Sequence, residues 1–262
     1  MNDQLKFTYI GGPTALLELD GLKLLTDPTF DPAGTEYPTG LYALRKTVGP
    51  AISPEILGHI DAILLSHDHH FDNLDHAGRA LLGNVEMILT TPSGAERLGS
   101  HATGLDPWQS VDLPTRNGRV LRVTGTPARH GPVNEDRGPV TGFILTLTGR
   151  SKSAIYLSGD TVWYEGVAKV SQRFLVQIAI LNMGAARVRE VSSAHLTFTA
   201  DEAIEAARAF AEADIIPMHY EGWEHLSESR QQIEKVFASA GLGGCLQWAE
   251  PGVPTLLPSK LT

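Results

Sequence analysis

From Ser66 to Asn73 the chain reads Ser-His-Asp-His-His-Phe-Asp-Asn, so three imidazoles and two carboxylates fall within residues 67–72. An apolar run, 62–65, comes directly before them. Such groups crowded at the end of a buried strand are costly unless they are paired or bound to a cation. Their number and type are sufficient for a transition-metal site. The competing reading is a polar turn whose histidines face water.

Three further placements favour the metal. His130 follows a β-prone run at 120–126, Asp160 follows another at 154–158, and His219 follows a third at 214–218. A single His or Asp at a strand end is usually a turn or cap residue. Four such placements in chain order point to one cluster, because rigid strand ends are where a sheet protein can fix catalytic geometry.

The elements that must carry these residues are mostly strands. Short β-prone stretches fall at 6–10, 16–19 and 22–25, the last two joined by the hairpin signal Asp20-Gly21. Further strands are expected at 62–66, 87–90, 143–147 and 178–181. Residues 26–54, rich in Pro and Gly, read as a long loop, and a loop of that length in a compact domain is usually functional. Helices are expected over 75–82, from Thr91-Pro92 to Gly99, from Thr199, and over 229–240. Thr199 and Glu202 have capping-box spacing, and Ala203, Ile204, Ala207, Phe210 and Ala211 form an apolar stripe. The order predicts two β-rich layers covered by helices within one domain spanning 1–262, not a strict β-α alternation.

Composition removes several function classes. Cys245 is the single cysteine, which excludes a disulfide framework and a Cys-rich zinc site. The net charge is −9, which opposes general nucleic-acid binding. No apolar run is long enough to span a membrane, and the first residues lack a basic segment followed by an apolar one, so a cytoplasmic location is expected. The expected partner is a small-molecule substrate, with self-association left open.

Together these motifs resemble the metallo-β-lactamase superfamily, whose pattern is His-x-His-x-Asp-His after a strand, then a lone His, Gly-Asp and a final His. Tyr9-Ile10-Gly11-Gly12, Leu25-Thr26-Asp27-Pro28, Ser158-Gly159-Asp160-Thr161, Ala194-His195-Leu196-Thr197 and Pro217-Met218-His219-Tyr220 look like the branch that contains ascorbate-6-phosphate lactonase and the phospholipase D acting on N-acylethanolamine phospholipids. The resemblance implies an α/β fold, a four-layer αββα sandwich. It also implies a hydrolase using a metal-activated water on an ester, lactone or phosphodiester, with lactonase-like and phosphodiesterase-like chemistry the first to consider. One or two divalent ions are implied, zinc first, with manganese, iron or nickel as alternatives. One ion would take His67, His69 or His70, and His130; a second would take Asp72 and His219; Asp160 would bridge them. Asp72 and His195 are the implied catalytic groups, and Asp27 would orient a ligand imidazole, although Asp27-Pro28 is also an ordinary turn sequence.

One residue departs from the pattern. The spacing carries an extra position, so His69 and His70 compete for one place; His70 is favoured because His70-x-Asp72 keeps the local spacing. Asn73 stands where the family has a histidine, so the second ion is expected to be weakly held. His59, His76, His101 and His225 have no spacing that recommends them and read as surface or packing residues. The substrate pocket is expected from residues 26–54, Trp163-Tyr164 and 220–223, with Arg45, Lys46, Arg129 and Arg187 as anion anchors. Two other readings stay open: a non-catalytic or degenerate metal-binding member of the same fold, and a nucleic-acid-processing hydrolase.

Overall fold

Asp20 and Gly21 hold positive φ, 51° and 85°, the backbone of a two-residue hairpin turn whose twist matches that of its strands. This turn joins β2 (Thr14–Leu19) to β3 (Leu22–Thr26), and β1 (Leu5–Gly11) pairs with β2 on the other side. The computed structural model describes residues 4–149, 153–211 and 213–257. Beyond this meander lie β4 (Glu36–Pro38) and β5 (Ala43–Arg45), then β6 (Ala62–Leu64), α1 (His76–Leu81), β7 (Ile88–Thr90), α2 (Pro92–Leu98), β8 (Ala102–Gly104) and β9 (Ser110–Pro114). The second half contains β10 (Val120–Pro127), β11 (Thr141–Leu147), β12 (Ser153–Leu157), α3 (Glu165–Arg173), β13 (Leu175–Asn182), α4 (Ala200–Ala209), β14 (Asp214–Met218), α5 (Arg230–Ser239) and β15 (Thr255–Leu257).

Two sheets form. One has the order β15-β1-β2-β3-β6-β7-β8, the other β14-β13-β12-β11-β10-β9. Each is antiparallel on one side and parallel on the other: β3, β6, β7 and β8 run parallel, as do β12, β13 and β14. Phe7, Leu17, Leu24 and Leu64 from the first sheet pack against Leu121, Val123, Phe143, Ile155 and Ile180 from the second. The outer face of the second sheet is covered by Val167 and Val170 of α3, Ala203 and Ala207 of α4, and Ile233 and Phe237 of α5. Leu74, Ala77 and Leu81 cover the outer face of the first sheet over Leu16, Leu25 and Ile63. This is the expected four-layer αββα sandwich. No helix of the described residues is long and apolar enough to cross a membrane.

The helix ends follow local chemistry. Asp75 caps α1 by accepting from Gly78 N, Thr91 caps α2 with Pro92 at the first turn, and Thr199 and Glu202 form both bonds of a capping box on α4. Residues 26–54 differ from the expected loop, because β4 and β5 pair there as a short hairpin. Three-residue strands broken by Pro and Gly carry too little alternation to be read in advance. The segment is bolted to α1. Lys46 Nζ lies 2.9 Å from Asp75 Oδ2 with both side chains buried, Asp31 N donates to the same oxygen at 2.7 Å, and Tyr37 donates to Asp31.

Candidate metal centre

Four strand ends meet at one edge of the sandwich. His67–Asp72 follow β6, His130 follows β10, Asp160 follows β12 and His219 follows β14. Gly159 must be glycine for Asp160 to reach this edge: its φ is +59°, and a Cβ there would stand 2.7 Å from the Thr141 carbonyl and 2.8 Å from Ser66 Cβ. His219 itself holds φ +49° while fully buried. Such a conformation costs of the order of 1–3 kcal/mol at a non-glycine residue and persists where the surroundings enforce it, typically at functional sites.

Hydrogen bonds fix which nitrogens face inward. His130 Nδ1 lies 2.8 Å from the Leu196 carbonyl, which can only accept, so Nδ1 carries the proton and Nε2 of the neutral ring is a bare lone pair. Ser66 Oγ donates to Asp27 Oδ2 at 2.9 Å and so accepts from His67 Nδ1, also at 2.9 Å; His67 Nε2 is then bare as well. Both lone pairs converge on His70 Nδ1, His67 Nε2 at 2.9 Å and His130 Nε2 at 3.1 Å. One ring nitrogen cannot satisfy two acceptors, whereas a cation between them can. Donors around a tetrahedral zinc stand about 3.3 Å apart for bonds of about 2.0–2.1 Å. Asp160 Oδ2 lies 3.9 Å from His130 Nε2 and, though buried, has no hydrogen-bond partner. The donor set therefore fits a metal ion.

Burial and the neighbouring imidazoles favour the neutral forms of His67 and His70. Burial and His70 keep His67 well below the ordinary histidine range, and burial with His130 lowers His70 to about 3. Asp27 is raised to about 7 by burial, against the hydrogen bonds it accepts from Ser66. Its oxygens receive Ser66 N at 2.6 Å and Asn73 Nδ2 at 3.3 Å, so it props the loop that bears His67. Asp68, the other carboxylate of the motif, faces away and is clasped by Arg97 at 2.8 and 2.5 Å.

A second group adjoins the first. His219 Nε2 lies 3.7 Å from Asp160 Oδ2 and 3.4 Å from Asp72 Oδ2, and His225 Nε2 lies 2.9 Å from the same Asp72 oxygen. Burial raises the Asp72 carboxyl, but the facing imidazoles of His219 and His225 outweigh it and hold it well below the ordinary range. Burial lowers His219, and the charges of Asp160 and Asp72 outweigh that and raise it. Both ring nitrogens of His219 lack hydrogen-bond partners.

The structure thus gathers His67, His70, His130 and Asp160, with Asp72 and His219 alongside. His69 reaches the cluster from its rim: it is exposed, its Nε2 faces the Arg137 carbonyl at 3.0 Å, and it belongs to the His67–His69–His70 group. His195 does not join either group; its Nε2 pairs with Glu202 at 3.1 Å, which raises its pKa. His225, read from sequence as a packing residue, sits on Asp72 instead. No sequence signal pointed to it, because His225 has no motif spacing. His76 does pack, against Tyr37 and Phe71. Of the four anion anchors, Lys46 is consumed by Asp75, Arg45 pairs with Glu36 at 2.6 Å, and Arg129 lies over the Tyr164 ring. Arg187 Nε is buried without a hydrogen-bond partner.

Comparison with known proteins identifies the family and the fold. Residues 23–220 match the model of the beta-lactamase superfamily domain. The chain is 25% identical over 258 residues to the UPF0173 protein YddR of Bacillus subtilis strain 168, covering 95% of this chain and 98% of that protein. It is 24% identical over 260 residues to a UPF0173 metal-dependent hydrolase of Ignicoccus hospitalis, covering 94% and 95% of the two chains. The crystal structure of isothiocyanate hydrolase from Delia radicum gut bacteria superposes with a TM-score of 0.80 at 22% identity, over 96% of this chain and 99% of that one. With the family model matched across both sheets and through His219, the chain belongs to the beta-lactamase superfamily domain family, with the metallo-β-lactamase fold.

Proposed function

We propose that residues 1–262 act as a single metal-dependent hydrolase domain. The observation that carries the proposal is the convergence of two bare imidazole nitrogens, His67 Nε2 and His130 Nε2, on His70 Nδ1 beside the partnerless Asp160 Oδ2. His67, His70, His130 and Asp160 would hold one divalent ion, with His69 as the rim alternative to His70; Asp72, Asp160 and His219 would hold another. Zinc suits this nitrogen-rich set first, and manganese, iron or nickel follow. When bound, such an ion supplies Lewis-acid activation of water and of the substrate's carbonyl or phosphoryl oxygen.

The chain's own groups do the rest. Ser66 and Leu196 orient the imidazoles so that their lone pairs face inward. Asp72 keeps a buried negative charge at the second position. His195, whose pKa is raised by Glu202, stands next in sequence to Leu196 and is proposed to donate a proton to the leaving group from the rim.

A cleft of about 500 Å³ reaches the cluster at His225, which sits on Asp72, and Arg45, Arg187, Arg189, Glu190 and Glu224 also line it. The charge of Arg187 is felt at His195. Arg187, its Nε without a partner, lines the cleft with Arg189, and the pair favours a small substrate bearing an anionic group, such as a phosphodiester, or an ester or lactone with a carboxylate or phosphate. Resemblance to lactonase and phosphodiesterase branches supports the same classes. The proposed location is the cytoplasm.

The test is hydrolysis by chelator-stripped and zinc-reloaded protein of lactones, bis(4-nitrophenyl) phosphate, anionic and neutral 4-nitrophenyl esters, and an isothiocyanate suggested by the structural neighbour. Activity only after reloading is expected, with KM for anionic members raised by Arg187→Gln. Failure to hydrolyse any member in either state would count against the reading.

A further inference from the structure

We propose that His225 is itself a ligand of the second ion, taking the place left by Asn73. The inference rests on the metal-site reading above and goes beyond its ligand set. In the family pattern the second ion takes a histidine from the loop after the strand here called β6. In this chain that position is Asn73, whose amide nitrogen is turned toward Asp27 Oδ2 and Ser66 Oγ, at 3.3 and 3.5 Å. An amide keeps at most a neutral oxygen for the metal, and that oxygen is a weak donor to transition metals.

His225 reaches the Asp72 carboxylate from the segment after β14. The chain leaves β14 at His219, turns through Tyr220–Glu224, and returns with the His225 ring against the same carboxylate. The turn is held on both flanks. Glu224 N donates to the Arg45 carbonyl at 3.0 Å, and Arg187 N donates to the His225 carbonyl at 2.8 Å. The Lys46–Trp223 bridge adds a third tie, so the β4–β5 hairpin anchors the turn. The ring is thereby fixed with little freedom to move: its side chain is 10% exposed, and its Nδ1 is buried without a partner.

Asp72, His219 and His225 each present one donor atom, and these atoms lie within 4.8 Å of one another. With Asp160 at 3.7 Å from His219, the second position has two imidazoles and two carboxylates. That complement equals the family's own, with one nitrogen supplied by a different segment. The weak second ion expected from Asn73 assumed that nothing replaced the lost nitrogen; with His225 in place, two ions are held tightly.

The alternative is that His225 only hydrogen-bonds Asp72 and orients it. The two roles separate on substitution. Glutamine can still donate to Asp72 but is a poor zinc ligand, and alanine can do neither. Zinc stoichiometry and affinity are measured by competition with a chromophoric chelator at low buffered free zinc, for the full chain and for His225→Gln and His225→Ala, with circular dichroism as the check on folding. The expected result is two equivalents in the parent chain. Both variants should keep the first equivalent unchanged and lose the second, its affinity falling 10-fold or more. X-ray absorption of the fully loaded protein should show one imidazole fewer per two zinc ions in His225→Gln. Retention of two tight equivalents in a folded His225→Gln, or only one in the parent chain, would overturn the assignment and leave the first site standing. No zinc in the parent chain would instead overturn the metal-site reading itself.

Discussion

His130 Nδ1 and the carbonyl of Leu196 are 2.8 Å apart, so the His130 imidazole and the segment carrying His195 are fixed by one hydrogen bond. The bond has two effects. It sets the tautomer that bares Nε2 toward the cluster, and it places His195 at a defined distance along the chain from the metal edge. A parallel device serves His67, where Ser66 Oγ links the ring to Asp27.

The Ser66 link gives the first prediction. Ser66→Ala removes the acceptor that orients His67 Nδ1 while leaving every proposed ligand in place. Zinc affinity of the first site should fall about 10–100-fold, measured by chelator competition, with the melting temperature of the metal-free protein little changed. Unaltered affinity would show that packing alone orients His67.

Lys46 gives a stability prediction. Its ammonium and the Asp75 carboxylate are 2.9 Å apart with both side chains buried, and Asp75 also caps α1 and receives Asp31 N. Lys46→Met leaves Asp75 as an uncompensated buried charge, so unfolding free energy should drop by about 3–5 kcal/mol. Urea denaturation at neutral pH measures it. Because the pair anchors the β4–β5 hairpin beside Trp223, the His225 turn should also loosen, visible as a change in tryptophan fluorescence.

Asp20 sets an acid-side dependence. Burial raises its carboxyl, but hydrogen bonds from Arg119, Thr115 and Asn117 outweigh this and lower it to about 2 from the ordinary 3.8. A carboxyl whose folded pKa is depressed stabilises the fold above its unfolded pKa, and the gain disappears as pH falls through the folded value. The contribution is about 2 kcal/mol at neutral pH, with about half lost by pH 3. Asp20→Asn should be less stable than the parent chain at pH 6, with the gap narrowing between pH 4 and pH 2. A gap independent of pH over that range would contradict this.

Gly159→Ala tests the approach of Asp160. The added Cβ meets the Thr141 carbonyl and Ser66 at distances no side chain occupies, in a conformation with φ +59°. A loss of about 2–3 kcal/mol is expected, with weakened metal retention because Asp160 is carried by the same turn.

The legible parts of the site were those where chemistry and periodicity fall together in sequence. His67, His130, Asp160 and His219 each follow an apolar or β-prone run, so a local pattern reveals both the strand and the His or Asp at its end. Thr199 with Glu202 and Thr91-Pro92 were readable because caps are satisfied within one helical turn. His225 was not, since its partner Asp72 lies 153 residues away and its position depends on a turn tied to Arg45 and Arg187. Lys46 looked like a free cation because nothing near it in sequence discloses Asp75. The β4–β5 pairing was hidden for the same reason, with three-residue strands held by contacts to Trp223 and α1 more than by their own pattern. The His69/His70 ambiguity is geometric: both rings adjoin His67, with centroids at 4.8 Å from it in each case, but His70 Nδ1 also contacts His130.

The most direct test of the metal centre is elemental analysis of the purified chain beside the double variant His130→Ala/Asp160→Ala, with circular dichroism confirming that both are folded. The parent chain should retain a transition metal through extensive dialysis, and the double variant should retain none at the first position, because it loses one bared imidazole and the carboxylate whose Oδ2 has no partner. Equal metal content in the two proteins would contradict the assignment of this strand-end cluster as the metal centre.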